Sequence, residues 1–216
     1  MSASRIPKEL HAYVGARAAQ DDAFLVELRA AAIAVGIPEI SIGSYQSATM
    51  ATLLKLMGAK DVVEVGTLGG YSAIGMARAL PQGGMVRTIE IDAQHADFAE
   101  AWIAKSDVAD RVTVLRGAGN DVLPTIADQS ADALFLDADK VGYSSYVEHG
   151  TRILRPGGLL MVDNAFAFRQ LLDESVQDES VLAIRALNDE LAEHPRYEGV
   201  LLPVGDGMWM ARLRSE

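Results

Sequence analysis

From Asp61 onward, short apolar runs rich in β-branched residues alternate with longer stretches whose apolar side chains recur every three to four positions. The runs "DVVEVG" (61–66), "MVRTIEID" (85–92), "RVTVLRG" (111–117), "ADALFLD" (131–137) and "GGLLMVDN" (157–164) have the length and composition of strands. Between them, "YSAIGMARAL" (71–80), "HADFAEAWIAKS" (95–106) and "YSSYVEHGTRIL" (143–154) read as helices, with a short one over Val122 to Ala127. "LPQGG" (80–84) and "LRPGG" (154–158) set Pro and Gly just past helix ends, as stop signals. This rhythm predicts an α/β fold with a largely parallel sheet covered by helices on both faces.

The two ends of the chain read differently. Residues 1–60 are helical by pattern: "DDAFLVELRAAAIAVG" (21–36) opens with two acids and closes at glycine, and "SATMATLLKLMG" (47–58) follows a loop over 37–46. After a polar stretch comes a helix over 180–194. Then "YEGVLLPVGDGMWMARL" (197–213) reads as a hairpin turning at Asp-Gly, which makes the last strand antiparallel. No repeat or long linker divides the 216 residues, so one domain over 1–216 is expected, with 1–60 as an N-terminal helical part of it.

Composition removes several function classes. A net charge of −11 argues against nucleic-acid partners. No cysteine is present, which excludes disulfides and thiolate metal sites, and the four histidines form no ligand pair. "MSASRIPKEL" lacks the apolar core of a signal peptide, and no apolar run spans a bilayer. A cytoplasmic protein with no membrane partner is the expectation.

Candidate chemistry gathers at the predicted strand ends. "EVGTLGGYS" (64–72) is the first strand-to-helix turn, where open α/β sheets hold cofactors, and its glycines permit close backbone approach. Its G-x-x-G-G spacing differs from the dinucleotide G-x-G-x-x-G. A tight turn without a ligand would use the same glycines. Glu64, an acid in an apolar strand, calls for a partner, and a cationic ligand would supply one. Glu90, 24 residues after Gly66, stands where a carboxylate accepts ribose hydroxyls, beside Asp92. Asp137 and Asp139 end the fourth strand and, by alternation, share one face. Asp163 and Asn164 end the fifth. If the two strands are neighbours, Asp137, Asp163 and Asn164 form a hard oxygen set suited to Mg²⁺, Mn²⁺ or Ca²⁺; solvent-facing strand caps are the plain alternative. Lys140, three residues after Asp137, is a candidate general base.

These motifs, with the closing "LPVGDGMWMARL", together resemble the cation-dependent class I O-methyltransferases, a group that includes the catechol and caffeoyl-CoA O-methyltransferases. The resemblance runs from about Asp21 to Leu213. It implies a Rossmann-like seven-stranded sheet with the last strand antiparallel, S-adenosylmethionine (SAM) as methyl donor and a homodimer. It places Glu64, Gly66, Thr67 and Ser72 around the donor's methionine part, Glu90 at the ribose, and Ala118 and Gly119 near the adenine. Asp137 and Asp139 would also border the donor. Asp137, Asp163 and Asn164 match the metal ligands, and Lys140 matches the base. The implied acceptor is a hydroxylated small molecule such as a catechol.

Two segments depart from the family. "AFAFRQLLDES" (165–175) replaces a Trp-containing stretch, so Phe166 and Phe168 are expected to wall the acceptor site. "ISIGSYQSATM" (40–50) replaces a Pro-Glu-Gln-type pattern. Both favour a small polyphenol over a CoA ester. The rival readings are a metal-independent methyltransferase, a non-catalytic SAM-binding module and an NAD-dependent oxidoreductase. The last is disfavoured by the glycine spacing and the lack of a Tyr-x-x-x-Lys site.

Overall fold

The computed structural model describes residues 8–18 and 20–215; the first seven residues of the decapeptide considered above lie outside them. Three helices come first: α1 (Lys8–Gly15), α2 (Ala23–Ala34) and α3 (Ser44–Met57). The alternating unit follows as β1 (Asp61–Val65), α4 (Tyr71–Ala79), β2 (Met85–Glu90), α5 (Ala93–Ile103), β3 (Val112–Arg116), α6 (Gly119–Val122), β4 (Ala131–Leu136), α7 (Tyr143–Ile153) and β5 (Leu154–Val162). Helix α8 (Glu179–Glu193) precedes the hairpin of β6 (Tyr197–Leu202) and β7 (Met208–Leu213).

The strands form one seven-stranded sheet in the order β3-β2-β1-β4-β5-β7-β6. Strands β1 to β5 pair in parallel, and β7 runs antiparallel to both β5 and β6. Period-two alternation divides the core between the two faces. Val62, Val86, Ala133 and Met161 pack with Leu28, Met50, Ile74 and Ala99 on the α2–α5 side. Val63, Ile89, Leu134 and Leu160 pack with Tyr143, Val147, Leu187 and Leu191 on the α7–α8 side. The central strands β1 and β4 are therefore buried on both faces, as their continuous apolar runs require, whereas the edge strand β3 leaves Thr113 and Arg116 exposed.

Several local expectations are corrected. The short helix expected over 122–127 begins at Gly119 and tightens into a 3₁₀ turn over Leu123–Thr125, because Pro124 cannot supply a helical N–H. Helix α3 starts at Ser44, inside the predicted loop, with Gly43 as its N-cap. "RPGG" does not separate helix from strand. It lies within β5, where the register to β4 jumps from Ala131↔Leu154 to Ala133↔Leu159. The acids opening α2 do separate jobs: Asp22 caps the helix through Leu25 N–H, whereas Asp21 accepts from Tyr71 Oη at 2.5 Å. Asp92 caps α5, accepting from the N–H groups of Gln94 and His95.

Candidate active site

Beyond β1, β4 and β5 the hydrogen-bond ladder continues for one more residue. Gly66 N–H donates to Ile89 O at 3.0 Å, Asp137 N–H to Val65 O at 2.9 Å, and Asp163 N–H to Leu136 O at 3.0 Å. This extra rung sets Gly66, Asp137 and Asp163 along one sheet edge. The chain switches direction there, between β1 and β4, and such a switch point opens a crevice. The crevice here is a cavity of about 460 Å³. Gly66, Thr67, Ser72, Glu90, Ala118, Gly119, Asp137, Asp139, Lys140 and Asn164 all line it. Glu64 and Asp163 do not; both are buried, at 0% and 4% exposure.

The first turn is held from below. Gly66 has φ +104, and a Cβ there would run into the backbone carbonyl of Asp137, so only glycine lets β1 turn this close to β4. Glu90 organises the next two residues: its Oε2 accepts from Thr67 N–H at 3.1 Å and Leu68 N–H at 2.8 Å, and its Oε1 from Asp92 N–H at 2.9 Å. Oε2 is thereby filled, and Oε1 retains a further acceptor direction.

Glu64 lies under this turn. Thr88 Oγ1 donates to its Oε2 at 2.6 Å, while Oε1 is buried without a partner. Burial pushes the Glu64 carboxyl up from its ordinary value of 4.5 to about 8, against the pull of the Ser72 and Thr88 hydroxyls. An orphaned buried oxygen beside the cavity wall fits a cationic ligand group, since an unsatisfied acceptor otherwise costs about 1–3 kcal/mol.

At the β4 and β5 ends the acids sort themselves. Strand geometry stops at Leu136, so alternation does not fix the facing of Asp139. Asp137 pairs with Lys140 Nζ at 3.2 Å. Asp139 instead accepts from Gly142 N–H at 2.9 Å and Tyr146 Oη at 2.5 Å. Lys140 Nζ also donates to Tyr143 Oη at 2.6 Å. Burial first, and then the charge of Asp137, raise the Asp163 carboxyl well above the usual carboxylate range. Asn164 adopts φ +60, a left-handed backbone that asparagine tolerates better than most residues. No three His, Cys, Asp or Glu side chains gather into a metal-holding group among the described residues; the third donor of the expected set is the Asn164 amide. Two carboxylates at adjacent strand ends, plus an amide oxygen, are the donors a hard divalent cation takes.

Of the two aromatics expected to wall an acceptor site, one lines the cavity and the other does not. Phe168 lines the cavity and is 48% exposed. Phe166 is absent from the lining and packs on Gly207, where a Cβ would meet its ring at 2.6 Å.

The family model described as O-methyltransferase matches residues 16–214. The chain belongs to the O-methyltransferase family. It is similar to a catechol O-methyltransferase of Niastella koreensis, 36% identical over 200 residues, covering 89% of this chain and 90% of that one. A catechol O-methyltransferase of Mycobacterium tuberculosis is 34% identical over 204 residues, covering 94% and 92%. Among solved structures, the O-methyltransferase from Bacillus cereus in complex with SAH superposes with a TM-score of 0.88 at 32% identity, covering 95% of this chain and 97% of that one.

In this O-methyltransferase two buried site residues were missed by the sequence reading. Gln46, 3% exposed, donates to Asp163 Oδ1 at 2.6 Å. Tyr143, 1% exposed, bonds Lys140, and burial with three nearby aspartates holds its phenol well above 10. A tyrosine three residues after a candidate base, at the start of the helix that follows it, is the one cue that would have found the second.

Proposed function

We propose that this O-methyltransferase moves the methyl group of SAM to one hydroxyl of a catechol-like or other vicinal-dihydroxy small molecule, with Mg²⁺, or Mn²⁺ or Ca²⁺, held by Asp137, Asp163 and Asn164. The observation that carries this reading is the juxtaposition at adjacent strand ends of Asp137, its partner Lys140 and the buried Asp163, beside the cavity that the glycine-rich turn borders. The relatives named catechol O-methyltransferase and the SAH in the Bacillus cereus structure support it.

SAM supplies an electrophilic methyl on a sulfonium centre. A divalent cation lowers the pKa of an acceptor hydroxyl, so that less basic strength is asked of the protein. The remaining work falls to the chain. We assign the unpaired Glu64 Oε1, with Ser72, to the cationic methionine end, and Gly66 and Thr67 to its backbone wall. Glu90, with an acceptor direction left over on Oε1, faces the ribose hydroxyls. Ala118 and Gly119 border the adenine, Gly119 lying against the Tyr146 ring, where a Cβ would come within 2.7 Å. Asp139 is held by Tyr146 and Gly142 at the donor's edge. Lys140 Nζ is the atom assigned to take the hydroxyl proton, and Tyr143 fixes that nitrogen. Phe168 offers an apolar face to the acceptor. Holding acceptor oxygen and methyl in line accounts for most of the rate.

Asp137→Ala tests the assignment. Turnover is expected to fall by more than about tenfold, the scale on which cation sites lose function when a supporting group is removed, while the calorimetric Kd for SAM holds. Kinetics matching the native chain would overturn the metal-ligand role.

A further inference from the structure

Gln46 stands in the first turn of α3, 117 residues before Asp163, yet its Nε2 reaches Asp163 Oδ1 at 2.6 Å. Both side chains are nearly closed off from solvent. Met50 and Leu54, on the same helix face, are locked in the core and anchor the face of α3 that carries Gln46. The amide end is fixed by the loop between β6 and β7: Gln46 Oε1 lies against Gly205, where a Cβ would collide with it and where φ is +61. With helix face and carbonyl end held, the amide can offer its N–H groups in one direction only. A neutral amide orients a carboxylate without cancelling its charge, whereas a lysine or arginine there would compete with a cation.

We propose that Gln46 is a positioning residue for the cation site: by holding Oδ1 it sets the rotation of the Asp163 carboxylate, and the remaining lone pairs are presented in a fixed direction. This rests on the cation reading above. It adds a coupling which that reading does not contain, because α3 and the β6–β7 loop now control the ligand geometry at the end of β5. Outer partners that orient metal-binding carboxylates typically change affinity about 10–100-fold when removed.

Binding of Mn²⁺ to the full chain in the presence of SAM, followed by the electron paramagnetic resonance of free Mn²⁺, tests it without turnover. Gln46→Met keeps the side-chain length and loses the donor; Gln46→Asn keeps the amide and withdraws it by one methylene. Each is expected to weaken Mn²⁺ binding about tenfold or more and to leave the SAM Kd as in the native chain. Should the Met variant fold poorly, the Asn variant carries the test. Native-like Mn²⁺ affinity in a folded variant overturns this inference and leaves the cation reading standing. No Mn²⁺ binding by the native chain overturns both. Parallel losses of Mn²⁺ and SAM affinity mark a collapsed site and overturn the positioning role.

Discussion

Glu64 contributes opposite effects to stability and to ligand capture. Its carboxyl titrates near 4.5 when the chain is unfolded and near 8 when buried in the fold. Below 4.5 both states hold the proton and the residue is neutral to folding. As pH rises through that window the unfolded chain releases its proton while the folded chain retains it, so stability falls, and above 8 the whole penalty is present. Asp163 is raised in the same sense, so the native slope contains both groups. The difference between the ligand-free native chain and Glu64→Gln isolates Glu64: the variant's relative Tm is expected to climb between pH 5 and 8. A difference flat with pH would sink the assignment of a protonated buried Glu64. The residue was legible as an acid in an apolar strand. Gln46 was not, because a neutral amide near a helix start has no pattern that points to a carboxylate 117 positions away.

Among the elements, the segment after β5 is the one least readable beforehand. Ala167, Phe168 and Arg169 all have positive φ, a run that no propensity argument anticipates for non-glycine residues. Tertiary bonds impose it. Asp206 Oδ2 accepts from Phe168 N–H at 2.6 Å, so the Asp-Gly of the hairpin serves as an anchor and not merely as a two-residue turn. Farther on, Arg185 of α8 donates to the carbonyls of Gln170, Leu171, Asp173 and Val176, and a small apolar cluster of Ala167, Val181 and Ile184 lies beneath. Arg185→Ala removes all four bonds. Amide exchange over 166–176, read by mass spectrometry, is expected to quicken by about tenfold or more, equivalent to at least about 1.4 kcal/mol of local opening. Protection of β1 and β4 should not move. Unchanged exchange in the segment would mean that Arg185 does not hold it. By contrast, β1 and β4 were legible because both of their faces are buried, and all of β1 to β5 end at Gly or an acid.

Taken together, the fold brings strand ends separated by up to about a hundred residues to one sheet edge, and that is where the candidate chemistry lies. Ten of the twelve expected site residues line one cavity, and the other two are buried behind it. That grouping was predictable once β4 and β5 were taken as neighbours, since parallel strands of matched register end together. The facing of Asp139 was not, because alternation lapses where the strand stops and Tyr146 takes over. Phe168, expected as an acceptor wall, comes from the segment whose backbone depends on tertiary contacts, so its place at the cavity was not legible. The decisive measurement is methyl transfer from SAM to a panel of catechols, followed by mass spectrometry, with Mg²⁺, then with excess EDTA, then with Mg²⁺ restored. Methylated products that vanish with EDTA and return with Mg²⁺ are expected. Transfer that survives EDTA would contradict a catalytic cation at Asp137, Asp163 and Asn164.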